Sequence, residues 1–109
     1  IIEGAKFTNL YLQIQNGKKI VFWGASLFLE EFCQKYNIQN SNVIGVIDKN
    51  PSKQGKFLGQ YKIFAPKDLS WLKPDEIIIT IVNSARERAI EVKDFLKNSN
   101  FIDIEVKTI

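Results

Sequence analysis

Three short runs of apolar residues mark the chain: KIVFW at 19–23, VIGVI at 43–47 and EIIITIV at 76–82. A continuous apolar run of this length is typical of a strand covered on both faces, as in the centre of a parallel sheet. Tyr61–Phe64 predicts a further short strand. The last segment, Ile102–Lys107, alternates strictly between apolar and charged residues. That pattern is typical of an edge strand protected by its charges.

Helical periodicity fills the segments between these strands. The predicted helices cover residues 5–15, 26–36, 66–71 and 84–98. Ser26 is a natural N-cap for the second helix. Ser84 and Glu87 predict a capping box at the start of the last helix, because a serine and a glutamate three residues later satisfy each other's free amides. The polar segment 48–60 is rich in turn formers and predicts a loop inside the domain.

The order of these elements predicts the fold. Strands that alternate with helices form a parallel sheet with helices on both faces, and right-handed crossovers leave few topologies. We therefore expect an α/β fold: a Rossmann-like three-layer sandwich, with a parallel sheet of about five strands in the order 3-2-1-4-5 and an extra N-terminal helix. Residues 1–109 would form a single domain, with the N-terminal helix in 1–17 and the sheet and its helices in 18–109.

The composition restricts the chemistry of this domain. The chain has 109 residues, no histidine and a single cysteine. It therefore lacks the usual acid–base group at neutral pH, an internal disulfide and a cysteine-based zinc site. We expect no catalytic residue and no metal site, and we interpret Cys33 as a small buried hydrophobe. The chain contains no methionine and begins with isoleucine, so we expect it to be excised from a longer protein.

The charge pattern argues against nucleic-acid and membrane partners. The formal net charge is +3, but the lysines are spread along the chain, so no basic patch predicts nucleic-acid binding. No apolar run approaches the roughly 18 residues that a membrane span needs. The N-terminus lacks the pattern of a signal peptide. We therefore expect a cytoplasmic protein.

A ligand-binding site is predicted at one edge of the sheet. In a sheet of this topology the ligand lies beyond the carboxyl ends of the strands, where the strand order reverses, here between the first and fourth strands. The residues collected there are Gly24, Ala25 and Ser26 after the first strand, Asp48 and Lys49 after the second, and Asn83, Ser84 and Arg86 after the fourth. These residues form the candidate ligand-binding site.

The turn after the first strand keeps part of a dinucleotide-binding fingerprint. The full pattern is Gly-x-Gly-x-x-Gly, whereas this chain has GASLFL, so Ser26 and Leu29 replace the second and third glycines. The free amides of the following helix still attract an anion, but the narrower turn leaves less room for a pyrophosphate. The turn therefore predicts the fold more strongly than it predicts bound NAD.

Each charged candidate has two interpretations. Asp48 ends the second strand where an acid meets ribose hydroxyls, and it is equally well explained as a turn former. Arg86 is placed to clamp a phosphate by two hydrogen bonds, or it is a solvated arginine paired with Glu87 or Glu91. Lys49 either attracts phosphates or belongs to a solvated loop.

Three stretches together resemble a known domain: KKIVFWGAS, VIGVIDKNPSKQGKFLGQYKIFAPKDL and PDEIIITIVNSARERAI. They are similar to the small Rossmann-like domain of bacterial surface-polysaccharide biosynthesis proteins. That domain stands at the N-terminus of sugar acyltransferases, occurs in nucleotide-sugar epimerases and dehydratases, and is appended to some sugar methyltransferases and glycosyltransferases. Its most distinctive part is matched by a loop that contains Asp48, Asn50 and Pro51, followed by Gly55 and Gly59.

The resemblance implies binding of a nucleotide, a nucleotide-sugar or NAD(P), with Gly24, Ser26 and Asp48 as the matching positions. The parent protein would be an acyl-, methyl- or glycosyltransferase. Our leading interpretation is a non-catalytic binding module, whose partners are the small-molecule nucleotide, the rest of the parent chain and, optionally, a second copy in a homo-oligomer. The alternative is a structural or docking domain that has lost the ligand. The third interpretation is a small oxidoreductase, although no Tyr-x-x-x-Lys spacing is present.

Overall fold

The computed structural model describes residues 2–39, 41–101 and 103–109. Its elements, in chain order, are α1 (Ile2–Gln13), β1 (Ile20–Trp23), α2 (Leu27–Lys35), β2 (Val43–Ile47), β3 (Phe57–Leu58), β4 (Tyr61–Phe64), α3 (Leu69–Leu72), β5 (Glu76–Ile79), α4 (Ala85–Asn98) and β6 (Glu105–Thr108). A 3₁₀ turn over Pro66–Asp68 precedes α3.

The strands form one sheet in the order β3-β4-β2-β1-β5-β6. β3 is a short antiparallel partner of β4, while β1, β2, β4, β5 and β6 run parallel. Without β3, this is the predicted order 3-2-1-4-5, so the predicted fold class is confirmed. Trp23 lies beside Ile47 of β2 and Ile79 of β5, so the carboxyl ends of the three central strands are level.

Helices cover both faces of the sheet, because alternate residues of a strand point to opposite sides. In β1, Ile20 and Phe22 belong to the core formed with α1 and α2, whereas Val21 belongs to the core formed with α3 and α4. Leu10 of α1 and Val92 of α4 are fully buried, one on each face. The apolar runs of β1 and β5 are therefore buried on both faces, as predicted.

Two strands differ from the prediction. β5 ends at Ile79 and does not reach Val82. The chain leaves the sheet there, and the Thr80 hydroxyl donates to the Gly24 carbonyl at 2.7 Å instead of facing solvent. The predicted loop contains the two-residue strand β3, which turns into β4 through Gly59 at φ = 60°. This left-handed residue permits the tight hairpin.

The predicted capping box at the start of α4 is wrong. Ser84 has a left-handed backbone with φ = 60°, and its side chain makes no capping hydrogen bond. A capping serine normally has an extended backbone, which directs its oxygen toward the amides of the first helical turn. Ser26 has that conformation, with φ = −95°, and its side chain accepts from the Leu29 amide. The predicted N-cap of α2 is confirmed.

The remaining elements lie near their predicted positions. α1 lies within the predicted N-terminal segment 1–17, of which Ile1 lies outside the described residues, and it begins and ends earlier than the predicted helix 5–15. The predicted helix 66–71 is the 3₁₀ turn followed by α3. β6 lies at the edge of the sheet, as predicted, but closer to the C-terminus, and Ile102 of the predicted strand is not among the described residues. Within the described ranges, no helix combines the length and the apolar character needed to cross a membrane.

Candidate functional site

A cavity of about 310 Å³ opens at the carboxyl edge of the sheet, next to the reversal of strand order. Residues after β1, β2 and β5 contribute to it, and α4 forms one side. Its lining residues are Trp23, Gly24, Asp48, Lys49, Asn50, Ile81 and Arg88. Sheets of this topology hold ligands at this position, so the cavity is the candidate site.

The turn after β1 is fixed by backbone and side-chain hydrogen bonds. The Gly24 amide donates to the Ile47 carbonyl at 2.8 Å, and Gly24 adopts φ = +119°, which favours glycine. The Ser26 hydroxyl donates to the Thr80 carbonyl at 2.7 Å and accepts from the Leu29 amide at 3.1 Å. The serine that replaces the second glycine of the fingerprint therefore connects α2 to the end of β5.

The Asp48 carboxylate bridges two turns. Its Oδ2 accepts from the Ala25 amide at 2.9 Å, and its Oδ1 accepts from the Asn50 amide at 2.8 Å. The bond to Asn50 is the local hydrogen bond of an aspartate turn, so Asp48 does act as a turn former. A carboxylate offers about four acceptor positions. About two of them remain for the hydroxyl groups of a ligand.

The loop after β2 is attached to the same turn. Lys53 Nζ donates to the Ala25 carbonyl at 2.9 Å, and the Gln54 side-chain amide donates to the Asp48 carbonyl at 2.9 Å. These bonds hold the loop against the start of α2. Asp48 and Lys49 therefore keep defined positions at the cavity.

The Ile81 side chain covers the open face of Gly24. A Cβ atom built on this glycine would lie 2.4 Å from Ile81 Cγ1 and 3.4 Å from the Thr80 hydroxyl oxygen. In the complete fingerprint, the first glycine permits the tight turn and the second keeps the backbone open to the pyrophosphate. Gly24 holds the first of these positions, so Ile81 packs against the tight turn itself. The sequence does not predict this contact, because residue 81 lies within the fourth predicted strand.

The structure brings some of the predicted site residues together. Gly24, Asp48 and Lys49 line the cavity. Ala25 and Ser26 are not among its lining residues, but they belong to the same turn, where Ala25 bonds Asp48 and Ser26 bonds Thr80.

The three predicted residues at the start of α4 lie apart from the cavity. Asn83, Ser84 and Arg86 are exposed and are not among its lining residues. Arg88 lines the cavity instead. The two arginines lie roughly 200° apart around the helix axis, at about 100° per residue, so they flank the apolar stripe on opposite sides. The apolar periodicity of α4 shows which face packs on the sheet, but it does not show which of the two arginines lies beside the cavity. The direction in which α4 crosses the sheet decides that.

Glu91 joins the two cations of the cavity. Its Oε2 accepts from Arg88 Nη1 at 2.8 Å, and its Oε1 accepts from Lys49 Nζ. The hydrogen bond from Lys49 is the main cause that lowers the pKa of Glu91 below its usual value. Arg88 Nε is buried, and no residue in the described part of the chain accepts a hydrogen bond from it. The guanidinium therefore has donor capacity that these residues do not use.

The chemistry of the cavity is hydrogen bonding and charge. Acceptor positions on Asp48 lie in the same cavity as the cations of Lys49 and Arg88. Among the described residues, no group of three or more histidine, cysteine, aspartate or glutamate side chains could hold a metal ion. This set of groups can recognise a ligand that carries both hydroxyl groups and negative charge.

Comparisons with known proteins agree with the architecture. The model of a family described as C2185-like, N-terminal, matches residues 16–100. The structure of UDP-D-quinovosamine 4-dehydrogenase from Vibrio fischeri is similar with a TM-score of 0.57 at 17% identity, over 84% of this chain and 77% of that chain. RSP, a Rex-family repressor, is similar with a TM-score of 0.60 at 15% identity, over 93% of this chain and 56% of that chain.

The complex of RSP with β-NADH gives the same TM-score of 0.60 at 15% identity, over 93% of this chain and 57% of that chain. The chain thus spans little more than half the length of the repressor chains. No curated protein matches the sequence. At these identities the structural similarity shows the fold alone, which is the predicted Rossmann-like fold.

Proposed function

The chain belongs to the C2185-like, N-terminal family, and we propose that it is a non-catalytic module that binds a nucleotide or a nucleotide-sugar. It would serve a catalytic domain elsewhere in a larger enzyme of bacterial surface-polysaccharide biosynthesis, an acyl-, methyl- or glycosyltransferase. The observation that carries the proposal is the cavity at the reversal of strand order, which Asp48 lines together with Lys49 and Arg88.

Two structurally similar proteins support a ligand of this class. The Vibrio fischeri protein is a UDP-D-quinovosamine 4-dehydrogenase, and RSP has been solved in complex with β-NADH. The ligand proposed for this chain is accordingly a nucleotide, a nucleotide-sugar or NAD(P).

In this proposal Asp48 recognises the ribose. Its carboxylate retains about two acceptor positions after it bonds the amides of Ala25 and Asn50, and ribose hydroxyls are hydrogen-bond donors. Lys49 and Arg88 add positive charge in the same cavity, which favours a phosphorylated ligand over a free sugar.

The exposed residues at the start of α4 complete the proposed site. Asn83, Ser84 and Arg86 would contact a part of the ligand that extends past the cavity, such as the sugar of a nucleotide-sugar. All three are exposed, so their side chains are accessible to it.

Fluorescence of Trp23 tests the proposal. Trp23 lines the cavity and is only 2% exposed, and Trp71→Phe leaves it as the single indole of a chain that has two. Titration of this variant with UDP, UDP-glucose, ADP and NAD⁺ is expected to give a saturable change with at least one ligand. If none of the four gives a saturable change at millimolar concentration, the proposal is overturned.

A charge-matched pair of variants then assigns the binding to the cavity. Asp48→Asn removes the negative charge and should weaken binding about tenfold or more, because hydrogen bonds to charged groups are the stronger ones. Asp94→Asn makes the same change at an exposed position of α4 and should leave the affinity unchanged. Thermal melting of both variants checks that a loss of binding is not a loss of folding.

A structural or docking domain without a ligand is the second candidate, and Ile81 is the observation that favours it. This side chain occupies one face of Gly24, in the turn that approaches the pyrophosphate of a dinucleotide in the complete fingerprint. Under this candidate, the wild-type protein binds no nucleotide, and any binding regained by Ile81→Ala, in which that face is exposed again, identifies Ile81 as the cause of the loss. Saturable binding of any nucleotide to the wild-type protein contradicts the candidate.

A further inference from the structure

Glu91 lies where two cations of the candidate site converge. Lys49 follows β2 and Arg88 belongs to α4, yet both line the same cavity. Each oxygen of the Glu91 carboxylate is bonded by one of them, Oε2 by Arg88 Nη1 at 2.8 Å and Oε1 by Lys49 Nζ. An anion bonded by an arginine and a lysine from separate elements is the arrangement expected around a bound phosphate.

From this geometry we propose that Glu91 occupies the phosphate position of the site, and that the phosphate of a nucleotide binds between Lys49 and Arg88 by displacing it. The inference rests on the proposed nucleotide-binding function and adds to it. It assigns the phosphate contacts to two residues and identifies an internal anion that competes with the ligand.

The charges of the site show why displacement is required. With Glu91 in place, the charges of Lys49 and Arg88 are balanced by the carboxylates of Glu91 and Asp48, so these four side chains together offer a phosphate no net positive charge. When Glu91 moves away, Lys49 and Arg88 outnumber the single charge of Asp48. A phosphate then gains two cationic partners.

The contacts of Glu91 are of a kind that a ligand can replace. The side chains of Lys49 and Glu91 are 54% and 41% exposed, and exposed ion pairs are weak because water and salt screen them. Arg88 Nε is buried without an acceptor among the described residues. A phosphate has more oxygens than the carboxylate and can use a donor that Glu91 leaves free.

Two matched variants of α4 test the inference. Glu91→Gln removes the competing charge, whereas Glu87→Gln makes the same change one turn earlier, at an exposed residue that pairs with neither Lys49 nor Arg88 among the described contacts. The probes are UDP, inorganic pyrophosphate and uridine, the last of which has no phosphate. Calorimetric titration gives their affinities for the wild-type protein and both variants, and thermal melting checks that each variant is folded.

Glu91→Gln is expected to bind UDP and pyrophosphate about threefold to fivefold more tightly than the wild-type protein, a gain of the size that removal of one exposed charge gives. Uridine should bind all three proteins alike, and Glu87→Gln should match the wild type within a factor of about two. Lys49→Ala and Arg88→Ala should each weaken binding of UDP and pyrophosphate.

The outcomes separate this inference from the proposed function. If UDP binds the wild-type protein but Glu91→Gln binds it equally or more weakly, Glu91 positions the cations and the displacement is refuted while the nucleotide site stands. If uridine gains as much as UDP, the effect does not involve phosphate and the inference is refuted as well. If pyrophosphate binds more tightly to Glu91→Gln but no nucleotide binds any variant, the anion-binding position is supported and the proposed nucleotide-binding function is refuted. If neither UDP nor pyrophosphate binds any of the proteins, the inference and the proposed function are both refuted.

Discussion

Replacing Gly24 by alanine tests how tightly the turn after β1 is packed. Gly24 adopts φ = +119°, where a residue with a side chain bears about 1–3 kcal/mol of backbone strain. The added Cβ would lie 2.4 Å from Ile81 Cγ1 and 2.9 Å from Ile81 Cδ1, and overlap of this kind costs about 1–3 kcal/mol more. We therefore expect Gly24→Ala to lower the free energy of unfolding by about 2–6 kcal/mol.

Substitutions at two other glycines separate the cost of backbone strain from the cost of overlap with Ile81. Gly55 also has a positive φ, +84°, but no atom lies within 4 Å of its added Cβ. Gly55→Ala should therefore carry the strain alone, about 1–3 kcal/mol. Gly4 lies within α1 and has neither a positive φ nor a close neighbour. Gly4→Ala should raise the free energy of unfolding by about 0.5–1 kcal/mol, because alanine is the better helix former.

Equilibrium unfolding in urea, followed by far-ultraviolet circular dichroism, gives these free energies. The double variant Gly24→Ala/Ile81→Ala completes a mutant cycle, and truncation of Ile81 should recover about 1 kcal/mol or more of the loss at Gly24. If Gly24→Ala destabilises the protein no more than Gly55→Ala, and the cycle shows no coupling, then Ile81 does not close the face of this glycine and the reasoning is refuted.

Two further predictions concern α2. Ser26→Ala should lower the free energy of unfolding by about 1–2 kcal/mol, because it removes the cap on the Leu29 amide. Ser84→Ala should lower it by less than about 0.5 kcal/mol, because the Ser84 side chain makes no capping bond. Equal losses would contradict the assignment of Ser26 as the cap. Burial raises the pKa of the Cys33 thiol from 9.0 to about 11, so above pH 9 the unfolded chain ionises first, and the unfolding free energy should fall between pH 9 and 11. Urea titrations across that range should show a shallower fall for Cys33→Ala, and equal slopes would show that the thiol is accessible.

The fold was predictable from the sequence because its central strands are buried on both faces. Every residue of Ile20–Trp23 is buried, and strands in this environment are nearly continuous apolar runs. The same reasoning makes the fourth predicted strand, 76–82, too long, because β5 ends at Ile79. The apolar character of Ile81 indicates burial, but it does not distinguish a strand residue from one that folds back over a neighbouring turn.

The candidate site was predictable only in part, because local preferences compete with the path of the chain. Ser26 and Ser84 have similar capping patterns, yet Ser84 must carry the chain from the sheet into α4 and takes a left-handed backbone to do so. The position of Arg88 depends on the crossing direction of α4. The residues next to Ser84 and Arg88 in the sequence therefore do not predict the backbone conformation of Ser84 or the position of Arg88.

Asp48 has a consequence for how homologous chains should be compared. Because its carboxylate holds the amides of Ala25 and Asn50, selection for thermodynamic stability alone is enough to retain an aspartate at this position through evolution. An aspartate at this position in a homologue therefore does not show whether that homologue still binds a ligand. The side chains of Arg88 and Glu91 make no such hydrogen bond to the backbone within the described residues, so these two positions are the better indicators of retained binding.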